Sequence, residues 1–228
     1  MSNIIFIQAR MSSSRLPGKV LLPLAGETIL GVVHKRLMLC KNITDSRVLT
    51  SVDSSDDQIV SYCEEKGIRF MRGPLQDVAG RFLKASRELK VDAFVRICAD
   101  SPFIDPALVD QAVGIFNTTD TVDMVTNGFP SSFPHGQGVE VVRVSALERA
   151  YAQMDSDRDK EHVTTFLLAH PKDFKIVNFS SGFDYGSEDL CVDTSDGFKE
   201  AERIVQKMSR SFTSYGWQEI LKLKKSEE

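Results

Sequence analysis

Apolar and polar positions alternate along this chain in blocks whose period changes repeatedly. Residues 3–8 hold a short continuous run, Ile4-Ile5-Phe6-Ile7, which predicts a strand covered on both faces. A polar stretch with Ser, Pro and Gly follows. Leu30, Val33, Leu37 and Cys40 then recur at three- and four-residue spacing and predict a helix over 27–41, opened by Glu27 or Thr28. The exchange repeats as strand 47–52, helix 55–66, strand 68–71, helix 77–89 and strand 93–99. Strands separated by helices need crossover connections, so the pattern reads as an α/β fold with a mainly parallel central sheet and helices on both faces.

Pro106 suits the first turn of a helix over 107–116, and a short strand follows at 123–126. The rhythm then breaks. Gly128, Pro130, Pro134, Gly136 and Gly138 make 127–138 irregular, and together with a strand over 139–144 they mark about 127–145 as an acceptor or subunit-contact region. Helices at 146–154 and 160–170, a strand at 175–179, a short apolar run at 189–193 and helices at 198–208 and 215–224 complete the chain. Residues 222–228 are expected to be disordered. There is no internal repeat, and residues 1–228 are read as one domain.

Composition removes some function classes. With 28 Lys and Arg against 32 Asp and Glu, the net charge of −4 argues against a broad nucleic-acid surface. Cys40, Cys63, Cys98 and Cys191 lie too far apart for a zinc or redox pair. No apolar run approaches the roughly 20 residues of a membrane span, and Arg10 interrupts the opening run before a leader core could form. A cytoplasmic protein without membrane contact is expected.

Charge is concentrated where the first strand ends, in Gln8-Ala9-Arg10-Met11-Ser12-Ser13-Ser14-Arg15-Leu16-Pro17-Gly18-Lys19. Ligands of open α/β sheets bind at that edge, and three cations with three hydroxyls suit a triphosphate. The segment is neither a Gly-x-Gly-x-x-Gly loop nor a P-loop, which weakens a dehydrogenase or an ordinary kinase. Two more strand ends deliver carboxylates: Asp100 after Arg96-Ile97-Cys98-Ala99, and Asp193 after Leu190-Cys191-Val192. Each could merely cap a helix. Together with the basic loop they form the minimum set for metal-assisted nucleotidyl transfer, with Asp100 the leading ligand.

The stretch 7–21 closely resembles the N-terminal signature of the cytidylyltransferase family that includes the acylneuraminate and 3-deoxy-manno-octulosonate enzymes, and it looks nearest to the spore-coat polysaccharide branch. The likeness continues through 95–105, Gly138-Val139-Glu140-Val141, Glu161-His162-Val163-Thr164 and Val192-Asp193-Thr194. It implies a three-layer nucleotide-diphospho-sugar transferase fold, a homodimer, and transfer of CMP from CTP to a sugar acceptor, an acidic one, for surface polysaccharide. It also implies that Ala9, Arg10, Ser13, Arg15 and Lys19 surround the triphosphate, with Arg10, Arg15 and Lys19 catalytic. Asp100 and Asp193 would hold Mg²⁺, Arg72, Asp77 and Arg81 would lie on the nucleotide side, and Glu140 would face the acceptor. His135 suits a flap over the sugar as well as a plain surface loop, and His162, which could face the acceptor, is read as a packing or hydrogen-bonding residue. A glycosyltransferase using a nucleotide-sugar donor, or a nucleotide-binding protein without activity, remain as alternatives.

Overall fold

A computed structural model describes residues 4–226; Asn3, expected to open the first strand, and Glu227 and Glu228 lie outside the described residues. In chain order the strands are β1 (Ile4–Gln8), β2 (Pro23–Leu24), β3 (Glu27–Thr28), β4 (Asp45–Ser51) and β5 (Phe70–Gly73). They continue with β6 (Ala93–Cys98), β7 (Met124–Thr126), β8 (Glu140–Arg143) and β9 (Ile176–Asn178). The helices are α1 (Ile29–Leu37), α2 (Asp57–Lys66), α3 (Val78–Leu89), α4 (Pro106–Thr118), α5 (Val144–Tyr151), α6 (Asp157–His162), α7 (Thr165–Ala169), α8 (Ser195–Gln206) and α9 (Trp217–Lys225).

Seven strands form one sheet in the order β5-β4-β1-β6-β8-β7-β9, while β2 and β3 make a small separate hairpin. Strand β1 pairs in parallel with β4 and β6, β4 with β5, and β7 with β9. Strand β8 runs antiparallel to both β6 and β7. The expected mainly parallel α/β sandwich is the observed fold.

The Ile-rich run of β1 is buried on both sides, as its lack of alternation requires. Ile5 and Ile7 join Val48, Val95 and Ile97 beneath α1, α2 and α4. Ile4 and Phe6 face the other way with Leu49 and Phe94, against Val78 and Phe82 of α3 and Leu147 of α5. There the rings of Phe6, Phe82 and Phe94 meet with centroids 5.2–5.8 Å apart. A third cluster joins α8 and α9 to β2, Phe103 and Val192.

Arg36 at the end of α1 ties this third cluster down. Its side chain is fully buried and donates to the carbonyls of Ile104 at 2.7 Å, Phe212 at 2.5 Å and Tyr215 at 2.8 Å. Burial pushes the guanidinium down to about 10, partly opposed by Asp105, so it stays charged at neutral pH.

Several boundaries differ from the sequence pattern. The helix expected over 27–41 is shorter because Thr28 accepts the Gly31 amide at 3.0 Å and caps it, leaving Glu27 and Thr28 in the hairpin. The helix expected over 160–170 is cut in two at Val163, whose φ of 55° and ψ of −63° close a tight turn from Thr164 N–H to His162 O at 2.6 Å. The irregular 127–138 segment is firmly held. Gln137, fully buried, donates to Phe103 O at 2.7 Å and accepts from Asp105 N–H at 3.0 Å.

The run 189–193 is not a ladder strand; it is extended chain with one bridge between His135 and Asp189. The expected disorder from 222 is corrected for 222–225, the last turn of α9. Leu221 is buried there, Lys224 donates to Asp189 O at 2.9 Å, and Lys225 pairs with Glu188 at 2.5 Å. Among the described residues no helix is long and apolar enough to cross a membrane.

Replacing Arg36 by Ala leaves three carbonyls short of a donor and opens a void, and is expected to cost roughly 3–5 kcal/mol. Urea unfolding of the variant against the parent measures it; a change within about 0.5 kcal/mol would be the ordinary value for an inert surface position and would refute the tie.

Candidate functional site

Parallel pairing puts the carboxyl ends of β1, β4, β5 and β6 on one edge, and the basic loop leaves β1 at that edge. Its path is fixed first by Asp56, a fully buried carboxylate just before α2. One Asp56 oxygen accepts the Met11 amide at 2.7 Å; the other accepts the amide of Ser51 at 3.0 Å and the Ser51 hydroxyl at 2.5 Å. The Met11 carbonyl then receives the amides of Ser13 and Gly18, both at 2.9 Å, which closes the loop on itself.

Pro17-Gly18 turns the chain back. Gly18 has φ of 72° and ψ of 6°, the left-handed geometry that the third residue of a type II turn requires. The next two residues part company: Val20 enters the core, and Lys19 points into a cavity of about 230 Å³. Gln8, Arg10, Ser13, Ser14, Arg15 and Lys19 line one side of it, and Cys98, Asp100 and Asp193 the other.

Lys19 sits between the two aspartates. Its Nζ donates to Asp100 Oδ2 at 2.6 Å and also bonds Asp193 Oδ1, while Arg15 reaches Asp193 Oδ2 at 2.6 Å. Asp193 is brought there by the amide of Val192, which donates to Asp100 O at 2.8 Å. Arg10 turns the other way and pairs with Glu161 at 2.7 Å. Burial is the largest single influence on Lys19 and lowers its pKa, but Asp100 and Asp193 together outweigh it and hold the ammonium above its ordinary value. For Asp193, burial acts upward and is outweighed by Lys19 and Arg15, so the carboxyl lies below the usual range.

A second cavity of about 210 Å³ shares Cys98, Asp100 and Asp193 with the first, and is completed by Arg96, Ser101, Thr126, His135, Gly136 and Glu140 among others. Arg96 and Glu140 are cross-strand partners in β6 and β8. Arg96 donates to Glu140 Oε2 at 2.7 Å and to Gln8 Oε1 at 3.0 Å, and Thr164 donates to Glu140 Oε1 at 2.9 Å. Gly136, with φ of 89°, lets its loop approach the 190–191 backbone; a Cβ there would meet Leu190 and Cys191 backbone atoms at 2.9 Å.

Oxygen atoms of Asp100 and Asp193 and the Cys191 sulfur all lie within 4.8 Å of one another. The two carboxylates are the hard donors that Mg²⁺ selects. Cys191 is not suited to join them, because burial pushes its thiol far up and it donates to Asp100 O at 3.3 Å. Burial likewise raises Cys98, to about 11.

The family model described as Cytidylyltransferase matches residues 4–220. The chain belongs to the cytidylyltransferase family. It is 30% identical over 216 residues to the spore coat polysaccharide biosynthesis protein SpsF of Bacillus subtilis, covering 91% of this chain and 88% of that one. It is 32% identical over 128 residues to the 3-deoxy-manno-octulosonate cytidylyltransferase of Chlorobium phaeovibrioides, covering 55% of this chain and 50% of the other. Among solved structures, a cytidylyltransferase from Leptospira borgpetersenii superposes with a TM-score of 0.92 at 27% identity, over 98% of this chain and 93% of that one.

In this cytidylyltransferase the structure gathers Arg10, Ser13, Arg15, Lys19, Asp100 and Asp193 around one cavity, with Ala9 buried in the chain between Gln8 and Arg10. Glu140 lines the neighbouring cavity. Arg72, Asp77 and Arg81 line neither cavity and bond elsewhere in the fold. Arg72 donates to Ser51 O at 2.7 Å and Asp53 O at 3.0 Å and pairs with Asp57 at 2.7 Å. Asp77 caps α3 through the Gly80 amide at 2.8 Å and accepts the Tyr151 hydroxyl at 2.7 Å. Arg81 is 2% exposed, with its guanidinium on the carbonyls of Pro74 and Leu75.

Asp56, whose place in Ser54-Ser55-Asp56-Asp57 signals only a helix start, and Arg96 and Glu161, each one residue of a segment that carries the family resemblance, are not distinguished by the sequence.

Two outcomes follow from this geometry. Asp56→Ala strands the Met11 and Ser51 amides and is expected to destabilise the fold by about 2–4 kcal/mol while weakening nucleotide binding, read by urea unfolding and by thermal shift with CTP. Asp193, depressed in the fold, contributes stability that is full above its unfolded pKa and lost as pH falls through the folded one. Lys19, raised, contributes below its unfolded value and loses that only as pH rises through the folded one. The melting-temperature gap between parent and Lys19→Met should therefore be flat from about pH 5 to 9 and narrow below about pH 4. A gap that widens in acid contradicts the assignment.

Proposed function

We propose that this cytidylyltransferase transfers CMP from CTP to a hydroxyl of an acidic sugar, with pyrophosphate leaving, in the synthesis of a surface polysaccharide. The observation that carries this reading is the meeting of two cavities at Asp100 and Asp193, one lined by cations and the other by mixed polar groups. A triphosphate fits the first because Arg10, Arg15, Lys19 and Ser13 supply charge and donors to phosphate oxygens. An acceptor in the second approaches the same two carboxylates from the opposite side. The acidic class is supported by the named activity of the Chlorobium relative, and the polysaccharide setting by that of the Bacillus protein.

Asp100 and Asp193 would hold Mg²⁺, which when bound offsets negative charge on the phosphates. The acceptor hydroxyl oxygen attacks the α-phosphorus in line with the bridging oxygen to the β-phosphate; that P–O bond breaks with its electrons staying on pyrophosphate, and the hydroxyl proton passes to solvent. Lys19 and Arg15 stabilise the departing charge in a site partly shielded from water. Glu140, held by Arg96 and Thr164 on the wall of the second cavity, would orient the acceptor.

Lys19→Ala is expected to lower pyrophosphate release at least about 10²–10³-fold, the usual effect of deleting one preorganised stabiliser, with far-UV circular dichroism retained. The assay uses CTP, Mg²⁺ and a panel of sugar acids including 3-deoxy-manno-octulosonate. Release at the parent rate would sink the proposal, as would thermal stabilisation by UDP-sugars with none by CTP.

A further inference from the structure

We infer that Lys19 is a resident cation standing in the divalent-ion position, so that the free protein binds the ion weakly and the ion and the nucleotide load together. The inference rests on the nucleotidyltransferase reading for the identity of the anion that draws Lys19 away.

In the structure the Lys19 ammonium already bonds one oxygen of each aspartate that would hold the ion. The carboxylate oxygens lie within 4.8 Å of each other, which leaves space between them for a single cation. An ion bound to both must displace the ammonium, since two cations sharing the same oxygens at such range repel strongly in a partly buried site.

Lys19 has nowhere to go unaided. Its side chain is 9% exposed, and its backbone is fixed between the Gly18 turn and buried Val20. The cavity it faces presents Arg10, Arg15, Ser13 and Ser14, and the carboxylates lining it are Asp100 and Asp193 themselves. Leaving them without a new partner would strand a buried ammonium.

An incoming polyphosphate removes the obstacle. In the free site the charges of Asp100 and Asp193 are met by Lys19 and Arg15, both bonded to them. With a polyphosphate beside the loop, those two cations transfer to phosphate oxygens, and a divalent ion restores the same balance on the aspartates. Two charges exchange for two. Such an exchange couples the ligands reciprocally: each raises the affinity for the other.

The test is Mn²⁺ binding to the protein without nucleotide at pH 7.5, read from the electron paramagnetic resonance signal of free Mn²⁺, for the parent, Lys19→Met and Arg15→Met. Lys19→Met is expected to bind Mn²⁺ about ten-fold tighter than the parent or more, within the ordinary range of binding couplings. Arg15→Met, which frees only the outer oxygen of Asp193 and whose side chain is 64% exposed, should gain less.

Equal affinity of parent and Lys19→Met overturns the inference. So does an equal gain in Arg15→Met, which would reduce the effect to net charge. Micromolar Mn²⁺ binding by the parent alone overturns it without any variant, should Lys19→Met fail to fold. Failure of the parent to release pyrophosphate from CTP would instead remove the proposed reaction, and the Mn²⁺ titration of the free protein would read the lysine exchange regardless.

Discussion

The contact on which the site depends is the ion cluster of Lys19 with Asp100 and Asp193, three charged groups set far apart in the chain and brought to one point at the edge of the sheet. Each arrives by a different device. A Pro-Gly turn and the burial of Val20 aim Lys19; the parallel pairing of β1 with β6 carries Asp100 to the same level; and a single amide from Val192 to Asp100 O draws in Asp193. Such a cluster is costly to assemble if one member is missing, because the remaining charges are then buried without a partner. The rigid sheet and the doubly tied loop beneath it therefore serve electrostatics as much as packing.

Two cavities that meet at Asp100 and Asp193 have unlike walls. On the loop side the walls carry cations and hydroxyls; on the β8 side a neutralised pair, Arg96 with Glu140, is held in place by Gln8 and Thr164. Burial alone would lower the Arg96 pKa, and Glu140 together with Cys98 and Asp100 outweighs it, so this pair is a fixed dipole in the wall. The charge that can be redistributed lies at the boundary between the cavities.

What could be read from the chain beforehand follows from how local each cause is. The Ile-rich run of β1, the periodic Leu30, Val33 and Leu37, and the cations after Gln8 are local patterns, and they located the sheet, the first helix and the basic loop at the sheet edge. Asp100 was legible because a polar residue directly after a buried strand has few places to go. The break at Val163 was not, since a β-branched residue at positive φ is set by tertiary contacts and no propensity predicts it. Asp193 was expected at a strand end and instead lies on chain outside the ladder, tied to the 135 loop and to Asp100 O. Arg81, expected on the nucleotide side, has its guanidinium on the carbonyls of Pro74 and Leu75, contacts that spacing does not encode.

The reversed direction of β8 has a consequence for how this scaffold can diversify. Because β8 runs opposite to β6, its first residue, Glu140, lies at the same edge as the carboxyl end of β6, and the whole 127–139 loop reaches that edge just before it. One continuous piece of chain thus supplies one side of the second cavity, as the loop after β1 supplies one side of the first, and the end of β6 with Asp193 lies between them. Exchanges within that piece can reshape one pocket and leave the cation-lined one intact, so under the proposed assignment acceptor preference and nucleotide handling can evolve as separable traits on a common sheet.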